Sequence, residues 1–260
     1  CGLTVDYMDW LFHGLWYELD PAGYTAYYEY NDVDGGYPTS KLDTAAALQA
    51  LETIYDLIGA TSDTNSNLVS SAQNHTESQQ SFVNGDCVFT FSGSWFETEM
   101  GQILGEVGFT DYHFGAYPVY NAGDKTALAM NLPGETFFVP SDAVNVSGAK
   151  DFLAFVLSEK GVATAEKTLQ FPMVYTTNEE IEFSAFGQEI VDLAKSSNLI
   201  YRFAKTDVFR TGALELFIMG TSPFITMARN KMTKENIRHD VLQTEAVHHQ
   251  GLWSEWMKRI

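Results

Sequence analysis

Apolar residues recur at helical spacing between residues 51 and 58. The positions i, i+3, i+4 and i+7 of this stretch are occupied by Leu51, Ile54, Tyr55 and Ile58. This spacing places all four side chains on one face of a helix. Ser40 or Asp43 is suited to cap the start, and Gly59 is suited to end it. The pattern predicts an amphipathic helix near residues 42–58.

Helical patterns also cover much of the rest of the chain. The apolar and aromatic opening, residues 1–18, is suited to a helix. Another helix is predicted to start near Ser94, with acidic residues in its first turn, where the helix dipole favours negative charge. Ser147 is predicted to cap a helix that runs to Ser158. The remaining predicted helices span 159–169, 186–196, 206–219 and 233–256.

Short apolar or tyrosine-rich runs predict the strands. Residues 24–30 are rich in tyrosine and have the composition of a strand. Residues 86–92 form a short apolar run that ends at Gly93, as is typical of a buried strand. Residues 113–120 and 128–140 are predicted to be further strands. Since strands and helices are mixed and no internal repeat is present, we expect an α/β fold.

The charge of the chain limits its partners. Among 260 residues, 34 are Asp or Glu and 15 are Lys or Arg, which gives a formal net charge of −19. This field repels phosphate backbones, so nucleic acid is excluded as an expected partner. The same field disfavours anionic substrates and leaves neutral or cationic ligands. The two cysteines, Cys1 and Cys87, have no metal-site or redox-motif spacing, and whether they pair is left open.

Two segments carry a resemblance to a known family. Residues 82–95 read FVNGDCVFTFSGSW, with a Gly-acid turn, a short apolar run and then Gly-x-Trp. Residues 134–161 contain GET, FVPS and an apolar stretch that leads into Ser-Glu-Lys-Gly. Together these segments resemble the carbohydrate-binding members of the extracellular solute-binding proteins, which serve ABC importers. The similarity runs in order along nearly the whole chain, which looks like the carboxy-terminal two-thirds of such a protein.

The resemblance implies a two-lobed periplasmic-binding-protein fold that is incomplete at its amino terminus. It implies that residues 1–125 and 176–260 form the carboxy-terminal lobe and that 126–175 form part of the other. The chain would cross between the lobes near 125–135 and 172–178. It further implies a monomer outside the cytoplasm, extracellular or periplasmic, anchored through a lipidated amino terminus that this chain lacks. The implied partners are a neutral sugar or oligosaccharide and the membrane subunits of the transporter, with no cofactor and no metal.

The resemblance also implies a sugar in an aromatic-lined cleft between the lobes. Trp95, which follows Gly93-Ser94, is the first candidate to stack on a sugar face, and the alternative is a tryptophan that packs the helix against the sheet. The other candidate ligand-binding residues each have a simpler alternative in core packing, helix capping or an ordinary loop. They are Glu97, Gly134, Glu135, Thr136, Trp16, Tyr17 and Phe224.

Two other functions remain open. A glycoside hydrolase would need aromatic residues and two carboxylates facing one bond. Glu97 and Glu99 are two residues apart, so on a helix their side chains diverge rather than face one substrate. The chain also has no nucleophile-elbow motif, so we predict no catalytic residue. A structural surface protein that holds a partner through an exposed apolar patch is the third alternative.

Overall fold

The computed structural model describes residues 8–29, 42–57, 74–130, 138–173, 178–201 and 233–244, together with Val247. The helices in these ranges are α1 Met8–Leu19, α2 Pro21–Glu29, α3 Ala45–Leu57, α4 His75–Val83, α5 Phe96–Val107, α6 Val146–Val156, α7 Glu159–Leu169 and α8 Ala185–Ser196. The strands are β1 Ala127–Met130 and β2 Asn198–Tyr201, and a π-helical turn spans Arg238–Gln243. The described part is therefore mainly helical, with few strands.

The chain divides into two compact units. Unit 1 comprises Cys1–Ser92, Ala116–Leu132 and Asn198–Ile260, and unit 2 comprises Gly93–Gly115 and Pro133–Ser197. The chain passes between the units after residues 92, 115, 132 and 197. The lobe crossings near 125–135 and 172–178 stay predictions. The assignment of the units to the two lobes stays a prediction.

The core of unit 1 is built on α1. This helix packs against α2, α3 and β1. The fully buried residues of α1 and α3 occur at helical spacing, so each helix turns one apolar face inward. The largest of the fully buried side chains in unit 1 are Met8, Phe12, Trp16, Leu51 and Ile54.

The segment 24–30 was expected to be a strand, and this expectation is wrong. Residues 21–29 form α2 instead. Pro21 occupies the first helical position, where its missing N–H costs nothing. Asp20 caps the start, because its side chain accepts a hydrogen bond of 2.9 Å from the backbone N–H of Gly23. Tyr24 is then buried in the core, which overrides the strand-like composition.

The helix predicted at 42–58 is confirmed as α3, but its cap differs from the expected one. Thr44 caps it, because its hydroxyl accepts a hydrogen bond of 3.2 Å from the N–H of Ala47. Asp43 instead accepts a hydrogen bond of 2.7 Å from Arg238, in the π-helical turn. Ser40 lies outside the described residues. The short side chain at position 44 is nearer the first helical N–H groups, which explains the shift by one residue.

The sheet of the described residues is a parallel pair. β1 and β2 run in register from the pair Ala127 and Asn198 to the pair Met130 and Tyr201. Ile200 and Ala127 are buried, so the pair contributes to the core of unit 1. A parallel pair separated by this much sequence fits an α/β fold.

The strands predicted at 86–92 and 113–120 do not form. Within 86–92, Thr90 makes a single bridge and the remaining residues are irregular. The side chains of Val88 and Phe89 are 88% and 54% exposed, so the apolar run is not the buried strand that its composition suggested. Of the strand predicted at 128–140, residues 128–130 belong to β1 and residues 138–140 are irregular, while 131–137 lie outside the described residues.

Unit 2 contains α5 to α8, and the starts of α6, α7 and α8 carry side-chain caps. Asn145 caps α6 through the N–H of Gly148 at 2.9 Å, two residues earlier than the expected Ser147. Ser158 caps α7 through the N–H of Gly161 at 3.1 Å. The helices predicted at 159–169 and 186–196 are thereby confirmed. The helix predicted at 206–219 lies outside the described residues.

Helix α6 has no buried residue, although seven of its eleven residues are apolar. Its large apolar residues near the carboxyl end are among the exposed side chains of unit 2, and they are Phe152, Phe155 and, just after the helix, Leu157. Helix α6 packs on α7 through part of its surface. The rest forms an exposed apolar face.

Candidate functional site

The Trp95 turn lies at the start of α5 in unit 2. The N–H of Phe96 donates a hydrogen bond of 3.0 Å to the carbonyl of Gly93, which closes the turn. Trp95 occupies the N-cap position without making a side-chain cap, and Glu97 and Glu99 follow in the first turn. Trp95 is half-buried. The helix start predicted at this turn is confirmed.

The six-membered ring of Trp95 lies directly against Gly93. A Cβ atom placed on Gly93 would lie 2.4 Å from both Cη2 and Cζ3 of Trp95 and 2.7 Å from Cε3. Contacts this short do not occur between real atoms, so only glycine fits while the ring stays in place. The glycine of the Gly-x-Trp pattern is thus in contact with the tryptophan of the same pattern.

Glu97 is held by two neutral donors of unit 2. The hydroxyl of Tyr112 donates to Oε1 of Glu97 at 2.7 Å. The hydroxyl of Ser184 donates to Oε2 at 2.9 Å, and the same hydroxyl accepts the N–H of Gly187 at the start of α8. Glu97 therefore connects α5 to the segment after it and to α8. A carboxylate has further lone pairs, so a ligand contact by Glu97 stays a prediction.

The environment of Tyr112 keeps its phenol protonated. Burial raises the pKa of Tyr112, and the hydrogen bond and negative charge of Glu97 raise it further. A protonated phenol is the form that donates to Glu97. The hydrogen bond to Glu97 therefore favours the neutral form of the Tyr112 phenol.

An aromatic cluster supports the first turn of α5 from within unit 2. Phe96 meets Tyr112 edge to face at a centroid distance of 5.6 Å. Phe186 of α8 lies 6.0 Å from Phe96 and 5.6 Å from Tyr112. Phe114 meets Phe186 edge to face at 5.4 Å. This unit 2 aromatic cluster, made of Phe96, Tyr112, Phe114 and Phe186, fixes the helix that carries Trp95.

Trp16 and Tyr17 are adjacent on α1 but have different environments. Trp16 is 0% exposed and meets Tyr24 edge to face at 5.3 Å. Tyr17 is half-buried and meets Tyr24 at 5.5 Å. Trp16 belongs to the core of unit 1, whereas Tyr17 reaches the surface. Ligand contacts by either residue stay predictions.

A cavity of about 270 Å³ opens beside Tyr17 in unit 1. Its lining comes from the end of α1, the start of α2, the loop before β1 and the first residues of both strands. The residues are Gly14, Tyr17, Glu18, Pro21, Pro118, Val119, Asp124, Lys125, Ala127 and Asn198. The cavity therefore lies at the amino ends of β1 and β2. In open α/β sheets, ligands bind at the opposite, carboxyl ends of the strands.

Glu18 is a half-buried charged group that lines this cavity. Its Oε1 accepts a hydrogen bond from the backbone N–H of Tyr120. Its Oε2 is buried and has no hydrogen-bond partner within the ranges that the structure describes. The loop that carries Tyr120 is also held by a hydrogen bond of 3.0 Å between Tyr120 and Thr53. Glu18 thus ties α1 to the loop before β1.

The structure therefore brings Trp95 and Glu97 together in unit 2, and Trp16 and Tyr17 together in unit 1. Gly134, Glu135, Thr136 and Phe224 lie outside the described residues. The sequence analysis did not identify Glu18, Tyr112 or Ser184 as site residues. Tyr112 and Ser184 lie 15 and 87 residues from Glu97, so no local motif links them.

Comparison with known proteins identifies the family. A family model of bacterial extracellular solute-binding proteins matches residues 10–163, which is more than half of the chain. The chain belongs to this family. The match covers most of α1, the Trp95 turn and the start of α7. The tryptophan turn of this solute-binding protein therefore lies within the region that matches the family. The family is compatible with the mainly helical α/β structure and implies a periplasmic-binding-protein fold.

One curated relative of this solute-binding protein has a stated ligand. It is the diacetylchitobiose binding protein NgcE of Streptomyces coelicolor, which is 33% identical over 87 residues. The aligned region covers 32% of the present chain and 18% of the relative. The alignment thus spans less than a fifth of that protein. No solved structure matches the chain.

Two features are absent from the described part of this solute-binding protein. No helix there combines the length and the apolar character needed to cross a membrane. The same residues contain no group of three or more His, Cys, Asp or Glu side chains arranged to hold a metal ion.

Proposed function

We propose that this protein captures a neutral carbohydrate by non-covalent binding and presents it to the membrane subunits of an ABC importer. Membership of the solute-binding family supports capture rather than chemistry on the ligand. The relative named for binding diacetylchitobiose supports a sugar or oligosaccharide as the ligand class. Neither argument depends on a catalytic residue.

The position of Trp95, half-buried at the start of α5, is the observation that carries the proposal. A pyranose ring has apolar faces of C–H groups and an equator of hydroxyls, so a flat aromatic ring complements its face. Trp95 stands at the start of α5, held against Gly93 on one side. Since the unit 2 aromatic cluster fixes α5, the indole is presented from a rigid element. Such preorganisation lowers the entropic cost of binding.

Polar groups would complete the site around the sugar hydroxyls. Glu97 follows Trp95 by two residues, and its carboxylate can accept further hydrogen bonds. We include Gly134, Glu135 and Thr136 as the proposed contacts from the loop that follows β1. Trp16, Tyr17 and Phe224 are the proposed further aromatic contributions. We expect these groups to line one aromatic cleft.

The charge of the protein supports a neutral ligand. A formal net charge of −19 slows the approach of anions, whereas it leaves the approach of a neutral sugar unaffected. Acidic and uncharged oligosaccharides of equal length should therefore bind with different affinity. The proposal also includes an extracellular or periplasmic location, a lipidated amino terminus in the parent protein and a monomeric state.

A ligand panel tests this function. The melting temperature of the 260-residue chain is measured with diacetylchitobiose, with other neutral oligosaccharides and with an acidic oligosaccharide as control. A binder raises its melting temperature with ligand concentration, and chromatography of the ligand afterwards should show it unchanged. Hydrolysis of the sugar would contradict capture without chemistry. No shift with any neutral sugar would contradict the ligand class.

A further inference from the structure

We infer that Gly93 is a positioning residue for the ligand-stacking indole of Trp95, an inference that rests on the proposed sugar-binding function. The contact between the two residues is direct. All three of the shortest distances from a Cβ built on Gly93 end on the six-membered ring of Trp95, at 2.4, 2.4 and 2.7 Å. The ring therefore occupies the volume that any other residue at position 93 would fill.

The backbone conformation at position 93 does not by itself require a glycine. Glycine is required where φ is positive, and the described glycines with positive φ are Gly85, Gly108 and Gly123. Gly93 is not among them, so an alanine could adopt its backbone conformation. The ring of Trp95 is the obstacle, which gives the glycine a role in placing that ring.

The expected response to a side chain at position 93 is movement of the ring. The hydrogen bond of 3.0 Å from Phe96 N–H to the Gly93 carbonyl holds the turn closed. The backbone is therefore the stiffer part, and the indole, at the far end of its side chain, is the part that can rotate. Gly93→Ala should preserve the fold and reorient the indole away from its stacking position.

The test uses four variants of the full chain: Gly93→Ala, Trp95→Ala, the double variant, and Gly101→Ala as a matched control. Gly101 lies on α5, and a Cβ there would meet nothing within 4 Å. With diacetylchitobiose as the probe, Gly93→Ala should weaken binding about tenfold or more, as expected for a displaced aromatic contact. Gly101→Ala should bind like the unmodified protein. The double variant should bind no more weakly than Trp95→Ala alone.

Tryptophan emission reports the ring position without a ligand. The emission of Gly93→Ala should differ from that of the unmodified protein, and the same substitution should cause no change when Trp95 is already alanine. If Gly93→Ala fails to fold, the double variant should recover a cooperative melt, because the obstructing ring is gone. Failure of that recovery would overturn the inference.

The remaining outcomes separate the inference from the proposed function. If Trp95→Ala loses affinity while Gly93→Ala retains both affinity and emission, the positioning role is wrong and the stacking role stands. If Trp95→Ala keeps full affinity, stacking is wrong, and the emission comparison still decides whether Gly93 places the ring. If the unmodified protein does not bind diacetylchitobiose, that ligand is wrong, and the emission comparison again decides the role of Gly93.

Discussion

The phenol of Tyr112 donates a hydrogen bond of 2.7 Å to the carboxylate of Glu97. This bond closes a link between the first turn of α5 and the segment that follows the same helix. Ser184 donates to the other carboxylate oxygen, so three separate parts of unit 2 meet at one side chain. Trp95 lies two residues before Glu97, at the start of the same helix.

Removing the carboxylate of Glu97 should destabilise the protein. In Glu97→Ala the hydroxyls of Tyr112 and Ser184 lose a charged acceptor, and hydrogen bonds to charged groups contribute about 1.5–3 kcal/mol each. Because Glu97 is partly exposed and water can replace it, we expect a total loss of about 1–3 kcal/mol in unfolding free energy. Urea denaturation measures this loss.

Glu106→Ala is the matched control, because Glu106 is an exposed carboxylate on the same helix. Its loss should change the unfolding free energy by no more than about 0.5 kcal/mol. Equal effects of the two substitutions would show that the junction at Glu97 does not stabilise unit 2.

Trp95→Ala should weaken carbohydrate binding with little change in stability. Losing a stacked aromatic side chain at a binding site costs about 2–4 kcal/mol, which corresponds to roughly 30-fold or more in affinity. Calorimetric titration and thermal melting of the same samples measure both quantities. A loss of about 3–5 kcal/mol in stability with unchanged affinity per folded molecule would instead identify Trp95 as a packing residue.

Trp16 should behave in the opposite way to Trp95. It is 0% exposed and packs on Tyr24, so Trp16→Ala should lower the unfolding free energy by about 3–5 kcal/mol. The milder Trp16→Phe should remain folded and allow affinity to be measured. If that variant keeps its melting temperature but loses sugar affinity, Trp16 contacts the ligand, and packing in the core alone does not describe its role.

The pair of His113 and Glu189 should make unit 2 sensitive to pH. The two side chains lie 2.6 Å apart. The hydrogen bond to Glu189, aided by its charge, raises the pKa of His113. The hydrogen bonds from His113 and from the N–H of Phe114 lower the pKa of Glu189.

The two shifts define where the pair stabilises. Because its pKa is raised in the folded protein, His113 contributes its full stabilisation below its unfolded pKa, about 6.5. This contribution is lost as pH rises through the folded pKa. Because its pKa is lowered in the folded protein, Glu189 contributes its full stabilisation above its unfolded pKa, about 4.3. This contribution is lost as pH falls through the folded pKa. The coupling should therefore be largest at about pH 5–6, between those two reference values.

A double-mutant cycle of His113→Gln and Glu189→Gln measures this coupling. The coupling should be positive at about pH 5.5 and smaller at about pH 8.5, and it should weaken in high salt because both groups are partly exposed. A coupling that is independent of pH would mean that the histidine charge does not contribute.

The main helices could be predicted from the sequence because their signals are local. The apolar stripe through Leu51, Ile54 and Tyr55 defined α3, and the Gly93-Ser94-Trp95 turn with its following acidic residues defined the start of α5. In both cases the residues that determine the helix lie within one or two turns. The helices α3 and α6 were predicted correctly, but their capping residues, Thr44 and Asn145, were not.

The strand predictions failed where composition and packing disagree. Residues 24–30 have strand-like tyrosines, but Asp20 and Pro21 supply a helix start just before them, and that signal was the better guide. Residues 86–92 have the apolar content of a buried strand, but Val88 and Phe89 face solvent. Burial of such a run depends on distant neighbours, which a short window does not contain.

The candidate site divides in the same way. The helix start at Trp95 could be predicted because the residues that form its turn are adjacent in the sequence, whereas a ligand contact by Trp95 stays a prediction. The partners of Glu97 could not be predicted, because Tyr112 and Ser184 reach it only through tertiary structure. The same holds for Glu18, whose partner Tyr120 is 102 residues away.

The uncovered apolar face of α6 has a practical consequence for work with this chain. Phe152, Phe155 and Leu157 expose 58%, 46% and 61% of their surface, and such faces adhere to one another, to dyes and to detergents. At high concentration, self-association would raise the apparent melting temperature without any sugar. Ligand titrations therefore need dilute protein, and a dilution series should come before any affinity is interpreted.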